Sequence, residues 1–99
     1  MPELNTFGKV GGSYSPSDIQ EIQDFAKKMG VRVVVEIDTP GHTESWGRSD
    51  KYKDIIVKCD QAYDGQLDPT NDLTYEVIRD VFSYANSVFD DPYIHFGGD

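Results

Sequence analysis

The chain has 99 residues, of which 18 are acidic and 9 are lysine or arginine, giving a formal net charge of −9 at pH 7. This length allows one small domain or a part of a larger one. The negative charge disfavours nucleic acid and anionic membrane surfaces as partners, because both are themselves negatively charged. No apolar run approaches the roughly 18 residues needed to cross a bilayer, so no membrane span is predicted.

The first predicted element is a helix that follows a loop. Residues 1–14 contain scattered glycines without a periodic pattern, which is typical of a loop. Ser15 is a good N-cap, Pro16 suits the first helical position, and Asp18 stands three residues after the cap. Apolar residues then recur every three or four positions, until Gly30 is expected to end the helix. They are Ile19, Ile22, Phe25, Ala26 and Met29.

A buried strand is predicted next, over residues 31–38. The run VRVVVEID is dominated by β-branched residues, as in the strands of parallel sheets. Residues 39–70 show little periodicity, apart from the apolar group at 55–57, and are predicted to form a long loop. A loop of this length is usually functional or incompletely ordered.

A second helix and a second strand complete the chain. The helix is predicted over residues 71–89, with Asn71 or Asp72 as its cap. The strand covers residues 93–96 and leads into Gly97, Gly98 and Asp99.

The resulting order is helix, strand, long loop, helix and strand, which predicts an α/β fold with parallel strands and right-handed crossovers. Two strands do not make a stable sheet alone. Both also have the composition of strands buried on two faces. The sequence therefore predicts a fragment of a (β/α)8 TIM barrel.

Polar residues are expected at the carboxyl ends of the two strands, where barrel chemistry takes place. Because alternate strand residues share a face, Glu36 and Asp38 are predicted to point into the barrel together. On the second strand His95 and Asp99 share the inward face. Asp38 and Asp99 then occupy equivalent positions, with His42 just beyond the first of them.

Structural explanations compete with functional ones for each of these residues. Glu36 and Asp38 could be paired structural charges, and a single loop histidine such as His42 is more often incidental than catalytic. His95 is expected to be a satisfied interior residue, and Trp46 to pack the loop rather than to bind sugar. Asp38, His42 and Asp99 would also suit a divalent metal ion.

Two motifs resemble those of a known enzyme family. EIDTPGHT (residues 36–43), followed by SWG (45–47), and HFGGD (95–99) resemble signatures of glycoside hydrolase family 20, the β-N-acetylhexosaminidases. They come in the family's order with its helix between them, and LDPT (67–70) and TY (74–75) are also similar. The resemblance covers nearly everything from Tyr14 onward.

The resemblance implies that residues 1–99 are part of a catalytic domain, with the strands as the third and fourth of its barrel. Family members work by substrate-assisted catalysis, in which the sugar's 2-acetamido carbonyl attacks its own anomeric carbon. Asp99 matches the aspartate that orients the acetamido group, and His42 matches a histidine near the general acid. Asp38 and Glu36 match positions of supporting residues.

Further expectations follow from the same resemblance. The family's general acid is the Glu immediately after the residue matched by Asp99, and since the 99 residues do not include it, the chain alone is expected to be inactive. Cys59 resembles a cysteine that often pairs with one downstream of the acid. The implied substrates are glycans that end in N-acetylglucosamine or N-acetylgalactosamine. The resemblance implies no metal ion and no other cofactor. Family members are commonly secreted or lysosomal, but no residue here indicates the compartment.

Two other hypotheses remain open on sequence grounds. One is a metal-dependent barrel hydrolase that uses Asp38, His42 and Asp99 as ligands. The other is a non-catalytic fragment that binds carbohydrate or has only a structural role. As an isolated fragment, the chain would favour self-association through exposed strand edges and uncovered apolar faces.

Overall fold

The computed structural model of the chain describes Leu4, residues 12–58 and residues 65–98. Two helices and two strands alternate: α1 (Pro16–Lys28), β1 (Val35–Glu36), α2 (Asp72–Val88) and β2 (Ile94–His95). Two short 3-10 helices, Glu44–Arg48 and Lys53–Ile55, lie between β1 and α2. The predicted order of elements is confirmed. No helix in the described part is long and apolar enough to cross a membrane.

Both helices begin at the caps that the sequence predicts. The Ser15 hydroxyl accepts a hydrogen bond from the Asp18 N–H at 3.2 Å, while the Asp18 carboxylate accepts one from the Ser15 N–H at 2.7 Å. This reciprocal capping box satisfies two N–H groups at the start of α1. Hydrogen bonds from Ser15 also hold the pKa of Asp18 below its ordinary range. At α2 the Asn71 side chain accepts a hydrogen bond from the Leu73 N–H at 3.0 Å.

The two strands pair in parallel, as predicted, but they are shorter than expected. Val35 lies opposite Ile94 and Glu36 opposite His95. Two further backbone hydrogen bonds, from the Ile37 N–H to His95 O and from the Thr39 N–H to Phe96 O, extend the contact beyond the regular strands. The predicted strand over residues 31–38 is wrong in its first half, because regular strand structure needs a hydrogen-bonded partner, and β2 reaches only part of that segment.

The expected alternation of faces along the first strand is confirmed, but its burial on both faces is not. Val33, Val35 and Ile37 are partly buried, whereas Val34 and Glu36 on the opposite set are exposed. The alternation holds only over residues 33–37, since Val31 is exposed and Asp38 is partly buried. The apolar face predicted for this helix is likewise more exposed than its pattern predicts, since Phe25 on α1 and Met29 at its C-cap are each 66 % exposed. No element among the described residues packs over these surfaces.

The principal buried cluster lies in the segment that the sequence predicts as a loop. Ile55 and Val77 are almost completely buried, and Ile56 forms an isolated antiparallel bridge with Leu67. Apolar contacts with α2 therefore order this segment despite its lack of periodicity. Trp46 packs against the cluster, which confirms its predicted packing role. The buried members of the cluster are Leu4, Tyr52, Ile55, Ile56, Leu67 and Val77.

Polar contacts join α1 and the segment before β1 to the end of α2 and the residues that follow it. Gln23 is buried; its amide donates to Val88 O at 3.0 Å and accepts from the Asp90 N–H at 2.7 Å. Arg32 donates two hydrogen bonds to the Asp91 carboxylate, at 2.8 and 2.9 Å. These bonds, together with one from the Tyr93 N–H, hold the pKa of Asp91 below its ordinary range. The contacts fix where α2 ends and β2 begins.

Candidate active site

The site centres on Asp38, which is predicted as the last residue of the first strand and lies two residues after β1. One oxygen of its carboxylate lies 2.5 Å from Nδ1 of His42, and the other accepts a hydrogen bond from the Gly98 N–H at 3.2 Å. The Asp38 side chain is only 25 % exposed. It therefore joins the ends of the two parallel strands, and it brings the two sequence motifs into contact.

The Asp38–His42 contact defines which ring nitrogen carries a proton. A carboxylate only accepts hydrogen bonds, so His42 donates through Nδ1–H. The other ring nitrogen, Nε2, is left to face other groups, while Asp38 holds the ring in one orientation. This arrangement can hold or transfer a proton near a reacting group.

The loop that carries His42 is held by several polar contacts. The Thr39–Pro40 peptide bond is cis, and His42 has a positive φ of 57°. Thr43 is completely buried, and its hydroxyl lies 3.1 Å from the carbonyl oxygens of both Pro40 and Gly65. Its backbone N–H also donates to Gly65 O at 3.0 Å. The sequence analysis did not predict this anchoring role of Thr43, since the Gly65 partner is remote in sequence.

A turn at Gly97 and Gly98 follows β2 and faces Asp38. Both glycines have positive φ, 71° and 112°. A Cβ atom at Gly97 would overlap the Asp38 carboxylate and Cα, so this position requires glycine for space as well as for conformation. Asp99, predicted to be catalytic, comes next in the chain and lies outside the described residues.

Glu36, predicted as a supporting residue, lies opposite His95 in the parallel ladder. Oε1 of Glu36 is 3.5 Å from Nδ1 of His95, and the two side chains are 56 % and 63 % exposed. His95 also accepts a hydrogen bond from the Gly97 N–H at 3.1 Å. The prediction that His95 is an interior residue is therefore wrong for this chain, although its polar partners are present; no described element covers this face of the ladder.

The motif LDPT forms a polar turn that leads into α2. The Asp68 carboxylate accepts hydrogen bonds from the Thr70 N–H at 2.8 Å and from its hydroxyl at 2.7 Å. These bonds hold the pKa of Asp68 below its ordinary range. The Thr74 hydroxyl donates to Asp68 O, and the Tyr75 hydroxyl to Pro69 O, each at 2.8 Å. The turn is therefore structural and sets where α2 begins.

Within the described part of the chain, no three His, Cys, Asp or Glu side chains are placed to hold a metal ion. The metal-site hypothesis needs Asp99 as a third ligand beside Asp38 and His42, so it stays a hypothesis. Cys59, whose pairing the resemblance suggests, also lies outside the described residues.

Comparison with known proteins identifies relatives of the chain. The sequence profile of the glycosyl hydrolase family 20 catalytic domain matches residues 2–99. The β-hexosaminidase subunit beta of Mus musculus is 39 % identical over 107 residues, and that of Homo sapiens 37 % identical over 106 residues; each alignment covers all of this chain. Beta-hexosaminidase 1 of Coccidioides posadasii is 37 % identical over 102 residues, covering 88 % of this chain and 17 % of its own. The chain spans 19 % of the length of the two mammalian subunits.

Proposed function

The chain belongs to glycosyl hydrolase family 20, and from that premise we propose that it forms part of the active site of a β-N-acetylhexosaminidase. Its substrates are glycans that end in N-acetylglucosamine or N-acetylgalactosamine. The observation that carries the proposal is the Asp38 carboxylate, which hydrogen bonds both to His42 and to the turn that leads into Asp99.

In this proposal the two strands are the third and fourth of a (β/α)8 barrel, and residues 1–99 are part of its catalytic domain. Parallel pairing of β1 with β2 supports it, with a helix in the crossover between them. Asp38 and the glycine turn both follow the carboxyl ends of these strands. This is the end of a TIM barrel where catalytic residues lie.

The proposed reaction uses the substrate's own acetamido group as the nucleophile. Its carbonyl oxygen bonds to the anomeric carbon as the glycosidic C–O bond breaks, which gives an oxazolinium ion. Asp99 accepts a hydrogen bond from the acetamido N–H and stabilises the positive charge that develops on the ring. Water then attacks the anomeric carbon and gives a proton to the carboxylate that the general acid has become, while the C–O bond to the acetamido oxygen breaks with overall retention of configuration.

The leaving oxygen needs a proton from a general acid, and His42 is proposed to act beside that acid. Asp38 fixes the ring of His42 through Nδ1, so that Nε2 is the nitrogen directed to its other neighbours. An imidazole next to a carboxylic acid influences when the acid holds its proton. Glu36 is proposed to support the site from β1.

The general acid itself is the Glu that the family places after Asp99, and it is not among the 99 residues. The 99-residue chain alone is therefore proposed to lack turnover, because general acid catalysis typically contributes about 10²–10⁴-fold. The chemistry described needs no metal and no other cofactor, since the substrate supplies the nucleophile.

A chimera tests the proposal directly. Residues 1–99 replace the matched segment of the mouse subunit beta, and hydrolysis of a fluorogenic N-acetyl-β-D-glucosaminide is measured. The chimera is expected to turn over, and Asp80→Asn, an exposed change on α2, is expected to leave the rate unaltered. A folded chimera without turnover would overturn the proposal.

Two further measurements on the chimera separate the mechanisms. Fluorine substitution of the N-acetyl methyl group makes the carbonyl oxygen less nucleophilic, so kcat should fall progressively from one to three fluorines. Activity should also persist in the presence of a chelator. A rate that is indifferent to fluorination, or lost with the chelator, would favour the metal-dependent hydrolase.

We also propose that the isolated 99-residue chain self-associates. Large apolar side chains are exposed on α1 and beside β2, including Phe25, Met29 and Phe96, which are 66 %, 66 % and 63 % exposed. Extensive exposed apolar surface is typical of interfaces and of surfaces that aggregate. The edges of a two-stranded sheet add unpaired backbone groups.

A further inference from the structure

Two contacts compete for one nitrogen atom of His95. Nδ1 lies 3.1 Å from the backbone nitrogen of Gly97 and 3.5 Å from Oε1 of Glu36. Glu36 is the residue directly opposite His95 in the parallel ladder, so the register of the sheet holds the two side chains together. Gly97 is two residues further along the chain, at the start of the glycine turn.

These contacts require opposite protonation states of Nδ1. A backbone N–H only donates, so the hydrogen bond from Gly97 needs Nδ1 without a proton, which is the neutral imidazole protonated at Nε2. A carboxylate only accepts, so a hydrogen bond to Glu36 needs Nδ1 with a proton. Nδ1 of His95 therefore accepts a hydrogen bond from Gly97 or donates one to Glu36, but it never does both at once.

Among the described residues, two side chains accept hydrogen bonds from the N–H groups of the turn. The Gly97 N–H donates to His95, and the next N–H, of Gly98, donates to Asp38 at 3.2 Å. Gly97 and Gly98 both have positive φ values. Loss of the His95 acceptor leaves one of the two side-chain anchors, immediately before Asp99.

We propose that His95 is a proton-sensitive positioning residue, whose Nδ1 secures the Gly97 turn when neutral and turns to Glu36 when protonated. Imidazole exists in neutral and protonated forms, and each form matches one of the two contacts at Nδ1. The catalytic consequence, an altered placement of Asp99, rests on the proposed function. The exchange of hydrogen-bond partners by His95 is independent of the proposed function.

Several charged or titratable groups surround this switch. On the same face of the first strand segment are Arg32, Glu36 and Asp38, with His42 in the loop that follows. Arg32 is paired with Asp91, which precedes β2, and Asp38 is bonded to His42. Glu36 is therefore the carboxylate positioned to receive Nδ1–H of protonated His95.

Nuclear magnetic resonance of the isotopically labelled 99-residue chain between pH 8 and pH 5 tests the proposal. At pH 8, Nδ1 of His95 should resonate as a ring nitrogen without a proton, and Nε2 as one that carries it. As the pH falls, the Gly97 amide proton should move upfield, because its hydrogen bond is lost. The Gly97 amide, the His95 ring and the Glu36 carboxyl carbon should share one midpoint.

Two variants provide matched controls. In His95→Asn the side-chain oxygen takes the place of Nδ1 as an acceptor but does not titrate, so the steps at Gly97 and Glu36 should disappear. In Glu36→Gln the step at Gly97 should persist, because protonation of Nδ1 alone removes the acceptor.

A proton on Nδ1 at pH 8 would overturn the proposal, as would a Gly97 amide that does not follow the His95 ring. Retention of the Gly97 step in folded His95→Asn would do the same. The wild-type titration decides the question even if a variant fails to fold. Because no turnover is measured, an inactive chimera would contradict the proposed function and leave this result standing.

Discussion

Asp38 and Gly98 are 60 residues apart in the sequence and are joined by a hydrogen bond of 3.2 Å, from the Gly98 N–H to Oδ1 of Asp38. The other oxygen of the same carboxylate contacts His42. One side chain at the end of β1 thus sets the relative position of the two loops that carry the candidate catalytic residues.

The close approach of Gly97 to Asp38 predicts an unusually large effect of Gly97→Ala. Gly30 is a matched control, since its φ of 72° is close to the 71° of Gly97 but a Cβ there meets no atom within 4 Å. Gly30→Ala should lower the free energy of unfolding by about 1–2 kcal/mol, the cost of a left-handed backbone. Gly97→Ala should cost about 1–3 kcal/mol more, because Asp38 must also move. Equal losses in urea denaturation would contradict the packing described for the turn.

Asp38→Asn tests the double role of the carboxylate. Two donors, His42 Nδ1–H and the Gly98 N–H, face its two oxygens, but asparagine has only one acceptor oxygen. One donor must then face an NH₂ group, and the free energy of unfolding should fall by about 1–3 kcal/mol. Asp80→Asn removes the same charge from the exposed surface of α2 and should change stability by less than about 0.5 kcal/mol. Similar losses in the two variants would show that the hydrogen bonds of Asp38 to His42 and Gly98 contribute nothing to the free energy of unfolding.

The Arg32–Asp91 pair predicts a loss of stability in acid. Hydrogen bonds from Arg32 and from the Tyr93 N–H lower the pKa of Asp91 in the folded chain. A lowered folded-state pKa contributes stability above the pKa of the unfolded state, and this stability is lost as the pH falls through the folded-state value. The free energy of unfolding should therefore decrease below about pH 4.

In Asp91→Asn the free energy of unfolding should decrease less at acid pH than in the wild type. The pH dependence of the Asp80→Asn variant should resemble the wild type more closely. Part of the decrease should remain in Asp91→Asn, since the pKa values of Asp18 and Asp68 are lowered in the same direction. Urea denaturation at pH 3 and pH 6 measures the difference. If Asp91→Asn lost as much free energy of unfolding between pH 6 and pH 3 as the wild type, the role assigned to the Arg32–Asp91 pair would be contradicted.

Gln23 should be more sensitive to substitution than its polar character suggests. It is 7 % exposed, and it satisfies both Val88 O and the Asp90 N–H. Gln23→Leu leaves both groups without that partner and should lower the free energy of unfolding by about 1–3 kcal/mol. Gln20→Leu, on the exposed side of α1, should cost less than about 0.5 kcal/mol. A smaller loss for Gln23→Leu than for Gln20→Leu would contradict this contact.

The proposed self-association should depend on the exposed face of α1. Light scattering of the 99-residue chain should give a mass that rises with concentration. Phe25→Asp should shift the chain toward monomer, because it places a charge among the exposed apolar side chains of α1. Glu21→Gln on the same helix should not shift it. A concentration-independent monomer mass for the wild-type chain would contradict self-association.

The sequence predicts best where local chemistry and the final contacts agree. The helix caps at Ser15 and Asn71 depend on residues within three positions, and both are confirmed. The β-branched run and the break after it place Asp38 near the carboxyl end of the first strand, as observed. By contrast, Thr43 and Gln23 acquire their roles from Gly65, Val88 and Asp90, which are remote in sequence and leave no local signal.

The exposure of apolar residues is the main difference from the sequence-based expectation. An apolar stripe at helical spacing predicts a buried face, yet Phe25 on α1 and Met29 at its C-cap are largely exposed. The spacing of apolar residues shows which face of a helix is suited to burial, whereas burial itself needs another element that packs against that face. The reverse holds for residues 52–56, where apolar contacts with α2 create a core without a periodic signal.

The measurement that most directly tests the central claim is kcat/KM of the chimera for an N-acetyl-β-D-glucosaminide, with Asp99→Asn compared with Asp80→Asn. Asp99→Asn should reduce kcat/KM by about 10²–10³-fold, because it removes the carboxylate that stabilises the developing charge. Asp80→Asn should leave it unchanged. Equal activity of the two variants would contradict the claim that this chain supplies a catalytic carboxylate to a β-N-acetylhexosaminidase.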